Sequence, residues 1–381
     1  MATRRSTMTE RLRIARGQKP SGGAPTSVGR LKGYTDNAQY LQFAALLIAI
    51  LLGACVVLAR DHIIPSNFQA DGLFIQRIAQ GAAVGDTKYT NVASIYRALG
   101  LADNPTGAAL GGYLVAVTAI ILVWWKRGRR ASSWSSVSLL VISLALSAVY
   151  LGWYSKDVFV LGVVFIFVLA PPTRFGFLLC MGSCLGYGII FREYWLIVAV
   201  LFGAIRTTSS RLTPARLIAA VLVGTLAASV TVMLATGGRA DTFRLGANEF
   251  RATLDIGTII TPFISAPEPF GGIANNLLTA LALIVPLPVI ALGGIYYLLI
   301  AGMILLMWVA LVWALPTGSD VVASRSVALI VAFVSVQAVF EPDYGSALRH
   351  IAPLLPLFLW VSWSGVSPPP TMRVDTRTTT T

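Results

Sequence analysis

The chain has 381 residues, of which 56% are hydrophobic and only 12% charged. A soluble domain is about 45–50% apolar and about 25% charged, so this composition argues against an ordinary soluble enzyme and excludes a disordered chain. The net charge of +13 invites a nucleic-acid reading. The bases, however, sit in tails and short loops beside apolar runs, as the positive-inside rule of membrane proteins requires.

In chain order, residues 1–37 are basic and then Gly/Ser/Pro-rich. They are expected to form a cytoplasmic tail with a short surface helix near Arg11–Arg16. The first apolar run begins too far in for a cleaved signal peptide of the usual size. Ten apolar runs follow, at about 38–59, 108–125, 134–153, 157–171, 175–191, 194–206, 215–236, 294–315, 322–340 and 350–364. Each is read as a span, although several fall short of the roughly 20 residues a bilayer core needs. The run 274–290 carries Pro286 and Pro288 and is expected to be a re-entrant segment, tolerated where protein buries it. The expected fold is all-α and polytopic. It is one transmembrane domain over 38–364, with outer loops 60–107 and 237–273 and a disordered tail over 365–381.

Charge sets the sidedness. With the N-terminus inside, 19 of the 29 Lys and Arg and 4 of the 16 Asp and Glu lie on the inner side, leaving 10 bases and 12 acids outside. That asymmetry orients both termini toward the cytoplasm.

The outer segments carry the chemistry. The first long loop holds Asp71 in FQADGLF. Lys156 and Asp157 meet the surface at YSKDVF, and Arg192 does so in FREYW. Asn248, Glu249 and Arg251 lie in the second long loop. Glu341, Asp343, Tyr344, Arg349 and His350 share the string FEPDYGSALRH. Charge at membrane depth is costly, so such residues pair, line a cavity or act on substrate. Arg192 and Arg349 are read as opening spans, a poor structural choice because the helix N-terminus already carries positive partial charge. Trp195 and Tyr194 fit an interfacial aromatic belt. Gly182 and Gly186 read as a close helix contact. Cys55, Cys180 and Cys184 all lie in apolar runs and form no disulfide framework; Cys180 and Cys184 are read as packing residues. Two histidines are too few for a His-built metal site, and no metal or other cofactor is expected.

Arginines at an outer membrane surface suit a membrane-anchored phosphate or pyrophosphate, because the guanidinium fork binds phosphate oxygens bidentately. A nearby carboxylate or histidine would deprotonate a hydroxyl nucleophile. No nucleotide-binding fingerprint accompanies them.

The strings FREYW, GANEFR with TIITPFI, IVPLP and FEPDYGSALRHIAPLLPL, in that order, resemble bacterial polysaccharide polymerases of the Wzy-type and EpsG-like kind. The resemblance implies a membrane glycosyltransferase of GT-C-like architecture, working without metal in the plasma membrane. It would join undecaprenyl-pyrophosphate-linked repeat units at the outer leaflet for exopolysaccharide, capsule or O-antigen. A flippase and a chain-length regulator are the implied partners. On this reading Arg192, Arg251 and Arg349 hold pyrophosphate, and His350, Glu341 or Asp343 is the base. Lys156, Asp157, Asn248 and Tyr344 are further substrate contacts. The nearest rival adds single sugars from polyprenyl monophosphate and uses Asp71 as its acid or base. A ligase, a transporter or flippase, and a non-catalytic scaffold are the remaining alternatives.

Overall fold

The computed structural model describes residues 27–64, 70–83, 86–127, 134–208, 213–252, 257–315 and 320–364. The expected surface helix near Arg11–Arg16 and the tail after 364 lie outside them. The chain divides into two compact units, Met1–Leu41 and Gln42–Thr381, and the second holds the helical bundle.

The described chain is helical, with no strand beyond an isolated bridge between Ile259 and Asp343. The helices are α1 Ser27–Leu58, α2 Arg60–Ile63, α3 Ala70–Ala79, α4 Thr87–Ala98, α5 Pro105–Arg127, α6 Trp134–Tyr150, α7 Val160–Leu169, α8 Arg174–Ile190 and α9 Tyr194–Thr208. They continue with α10 Pro214–Thr236, α11 Thr242–Ala252, α12 Phe270–Ile284, α13 Leu287–Ala291, α14 Gly294–Trp313, α15 Val321–Phe340, α16 Tyr344–Ile351 and α17 Leu355–Ser364. Five segments are long and apolar enough to cross a membrane: Tyr40–Leu58, Pro105–Arg127, Pro214–Thr236, Gly294–Trp313 and Val321–Phe340. Four more apolar helices are shorter, including α8, α9 and α12. The run expected at 157–171 divides into a 3-10 turn, Lys156–Phe159, and α7.

Helix ends follow local chemistry. Thr173, Thr213, Asp320 and Asp343 cap α8, α10, α15 and α16, each side chain accepting a backbone N–H of the first turn. Pro214 occupies the first turn of α10, where its missing N–H costs nothing.

α15 is the hub, packed against α9, α10, α12 and α17. Its apolar residues are spread around the helix with no single polar face, the pattern of a buried helix, and 83% of its apolar window is buried against 17% for the α1 span. The α10–α15 crossing is close because Gly224 has no side chain. A Cβ there would meet Ser335 Oγ at 2.6 Å. Ser335 Oγ donates to Val221 O at 3.1 Å, and Thr225 Oγ1 donates to Ser335 O at 3.3 Å. Small residues with hydroxyl bonds are how apolar helices associate where water supplies no driving force.

The proline-rich run resolves into α12, a break at Val285 and Pro286, and the short α13. Gly293 and Gly294, at φ 69° and 79°, then turn the chain into α14. Asn275 of α12 accepts from the amides of Phe263 and Ile264, and Asn276 donates to Ser229 Oγ and Ala240 O. This helix is therefore bolted to the rest of the fold.

Two expectations are corrected. Gly182 and Gly186 make no close contact, because a Cβ at either would meet open space. Trp195 is no belt residue: it is 1% exposed and packs on Tyr187 and Phe333. The cysteines are free, with Cys180 and Cys184 both buried.

Gly224→Leu should lower the thermal midpoint of the purified protein, by an overpacking cost on the order of 1–3 kcal/mol. Gly182→Ala, inside α8 and facing open space, should not lower the midpoint and should stabilise by at most about 1 kcal/mol through helix propensity.

Candidate functional site

Chain connections gather the charged residues at one end of the bundle. α8 finishes and α9 begins there, around Arg192. α15 finishes there at Glu341, and α16 follows at once. The 3-10 turn supplies Lys156 and Asp157, and α3 and α4 of the first long loop lie over them. Side-chain hydrogen bonds hold this cover together and anchor it. Arg97 donates to Ile78 O and Ala79 O, tying α4 to α3. Lys88 and Asn91 donate to Ile189 O and Ile190 O at the end of α8. Tyr96 OH donates to Ser155 O.

Asp157 is the centre. It is 2% exposed. Arg192 Nη2 meets its Oδ1 at 2.8 Å, and Arg349 Nε meets its Oδ2 at 3.0 Å. Arg349 also spans outward, its Nη1 lying 2.8 Å from Asp71 Oδ2. Gly72 makes that reach feasible: a Cβ there would fall 1.7 Å from the Trp153 ring, so only glycine lets α3 lie this close. Arg192 Nη1 donates to Tyr194 OH at 3.0 Å, while its buried Nε has no partner. Lys156 Nζ donates to Tyr89 OH at 2.9 Å and lies 4.1 Å from that ring's centroid.

A second layer lies on α16. His350 Nδ1 pairs with Glu341 Oε1. Arg251 pairs with Asp343, and its Nη1 also donates to Ser346 Oγ at 2.9 Å. Asp343 Oδ1 accepts from Ser346 N, so both carboxylate oxygens are committed to the cap and to Arg251. Asn248 donates to Ile260 O, bracing its own loop. The Tyr344 hydroxyl is buried without a partner.

Arg192, Arg349, Lys156, Asp157 and Asp71 thus form one connected group, and Arg251 and Asp343 join it through α16. Contrary to expectation, Arg349 and His350 do not open a helix. α16 starts at Tyr344 and runs through a 3-10 turn, Ala352–Leu354, directly into α17, so both lie beyond the first turn of a longer helical stretch. Tyr89 and Tyr194 hold the two basic groups, a role the sequence does not announce for either. Tyr194 sits beside Arg192 in FREYW, whereas no spacing signal marks Tyr89.

The carboxylates differ in access. Asp71 is 40% exposed, whereas the side chains of Asp157, Glu341 and Asp343 are all below 5%. Burial alone would raise the Asp71 carboxyl; Arg349, Lys156 and Arg192 reverse this and hold it well below the usual range. Burial, reinforced by Arg192, lowers the Lys156 ammonium to about 7. Among the described residues, no group of three His, Cys, Asp or Glu could hold a metal ion.

Compared with protein-family models, with curated proteins and with solved structures, the chain matches none.

Asp157→Asn should destabilise the fold by about 3–5 kcal/mol, because two cations lose a buried partner. Asp71→Asn, partly exposed and screened, should cost at most about 1 kcal/mol. Thermal unfolding at matched pH separates the two. The Lys156 shift adds a pH signature. Its folded pKa of about 7 lies below the ordinary 10.5, so its penalty is full below pH 7 and fades as pH rises toward the unfolded value. Lys156→Met should therefore raise the thermal midpoint more at pH 6 than at pH 9.

Proposed function

We propose that the chain is a plasma-membrane glycosyltransferase that polymerises undecaprenyl-pyrophosphate-linked oligosaccharides at the outer leaflet. The ten-span topology, with both termini cytoplasmic, and the GT-C-like architecture belong to this proposal. So does a re-entrant 274–290 segment. The observation that carries it is Arg349 held between a buried carboxylate, Asp157, and an accessible one, Asp71.

The resting cluster is self-neutralised, so an incoming phosphate must replace a carboxylate. Asp71 is the one that can be displaced. Asp157 is locked between two arginines, and Glu341 and Asp343 are engaged by His350 and Arg251. Pyrophosphate bound to Arg349, with Arg192 and Lys156 beside it, takes over as counter-ion. Asp71 then loses the cation that held its proton affinity down and becomes a competent base.

The acceptor hydroxyl oxygen forms a bond to the anomeric carbon of the donor sugar, and its proton passes to Asp71. The bond from that carbon to the phosphate oxygen breaks, and polyprenyl pyrophosphate leaves carrying the electron pair. Attack from the opposite face inverts the anomeric centre. The arginines stabilise charge as it grows on the leaving group. His350 and Glu341 hold the α16 end of the site, and Arg251 secures the same helix through Asp343 and Ser346.

The accessible Asp71 equally suits single addition from a polyprenyl-monophosphate sugar. Product size separates the readings: a ladder of repeat multiples against one added sugar.

In proteoliposomes containing lipid-linked repeat units, wild-type protein should yield longer glycan. Asp71→Asn and Arg349→Ala should each reduce the rate at least 100-fold, with Asp71→Asn melting within a few degrees of wild type. Absence of transfer by folded wild-type protein across lipid-linked donors would sink the proposal. Wild-type rates in both variants would remove these residues from the site.

A further inference from the structure

The helices that bear the charged cluster carry a second set of arginines at their far ends. α8 begins at Arg174 and ends two residues before Arg192. α9 begins at Tyr194 and reaches Arg206 in its last turn. α15 has Arg325 in its first turns and Glu341 just past its end. At about 1.5 Å per residue these helices run about 22–30 Å, close to a bilayer's apolar thickness. Arg174, Arg206 and Arg325 line one cavity of about 310 Å³ together with Thr173 and Thr207. That volume falls within the range of about 300–1,000 Å³ typical of small-ligand sites.

Its electrostatics differ from those of the cluster. Among the described residues none of the three arginines has an ion-pair partner, and no acid lines the cavity. Asp320 lies nearby, but Arg127, Trp360 and Ser364 hold it and it caps α15. Arg325 is 2% exposed. Its Nη2 and Nη1 donate to Ala170 O and Pro171 O, and its buried Nε has no partner. The start of α8 adds its own positive partial charge. Thr173 Oγ1 accepts from Gly176 N, which leaves its proton free to donate. Beside the cavity, Phe175 and Leu178 are each 63% exposed, an apolar surface suited to acyl chains.

Three guanidinium groups without an acid among them, at the end of a helical bundle, make a favourable anion site, and phosphate oxygens match the guanidinium fork. We infer that the Arg174–Arg206–Arg325 cavity binds a phosphate group, at the opposite end of the helices from the reaction cluster. Anionic phospholipid headgroups and soluble phosphate share that chemistry. Basic pockets between membrane helices are suited to the former. This site stands independently of the glycosyl-transfer proposal.

The test uses the full chain in nanodiscs of phosphatidylcholine alone, of phosphatidylcholine with phosphatidylglycerol, and of phosphatidylcholine with added inorganic phosphate. The readouts are the thermal midpoint and, by native mass spectrometry, lipid retained through detergent. Arg325 is left intact because it also caps α7. For a headgroup, phosphatidylglycerol raises the wild-type midpoint and stays bound. Arg174→Gln with Arg206→Gln then cuts that retention at least tenfold. For soluble phosphate, the midpoint rises with phosphate alone, phosphatidylglycerol adds nothing, and the double variant loses the response. Arg174→Gln alone, at an exposed position, reports the same loss in part if the double variant folds poorly. A wild-type protein indifferent to both additions, or variants that respond as wild type does, would overturn the inference.

Discussion

Asp157 is the pivot on which the charged end of this protein depends. A carboxylate that is 2% exposed would be intolerable alone. Arg192 and Arg349, arriving on different chain segments, each give it a charge-assisted bond. The arginines in turn could not enter an apolar bundle without it. Three segments distant in sequence are therefore held in register by one side chain: the turn before α7, the α8–α9 connection and α16. Arg349 has a donor left over, and it points at Asp71 on the cover formed by α3 and α4.

The bundle beneath explains why this arrangement can be rigid. α15 is enclosed on nearly all sides, and Ser335 ties it to α10 by a hydroxyl hydrogen bond. The same helix ends at Glu341, whose carboxylate meets His350 on the next short helix. The positions of Glu341, Asp343 and Arg349 thus follow from the packing of the hub. The cover is held by buried Ile75, Ile78, Val92 and Ala93 together with hydrogen bonds from Lys88, Asn91 and Tyr96. Its Asp71 side chain, 40% exposed, is the partner able to yield when a ligand competes for Arg349.

Composition and hydropathy were enough to reach an all-helical chain with membrane-length segments, because apolar run length is a local property. The strings around Asp157, Arg192 and Arg349 were legible as well, since charge beside an apolar run is conspicuous. Their mutual pairing was not, because nothing local links Asp71 to Arg349 across the chain. Asp343 shows the limit plainly. It caps a helix that starts at Tyr344, and this moves Arg349 from the first turn of a helix, where positive charge is unfavourable, to a position beyond that turn. Gly182 and Gly186 show the same limit in reverse. Their spacing suits helix contact, yet their face meets open space, while Gly72 and Gly224 make the close approaches.

If a phosphate group displaces Asp71 from Arg349 while Asp157 stays in place, an experimental structure of the protein with polyprenyl pyrophosphate in nanodiscs will show it. Phosphate density should then lie within hydrogen-bond distance of the Arg349 guanidinium, with Asp71 withdrawn and the Arg192–Asp157–Arg349 bridge unchanged. Pyrophosphate bound elsewhere, with Arg349 still paired to Asp71, would contradict the displacement.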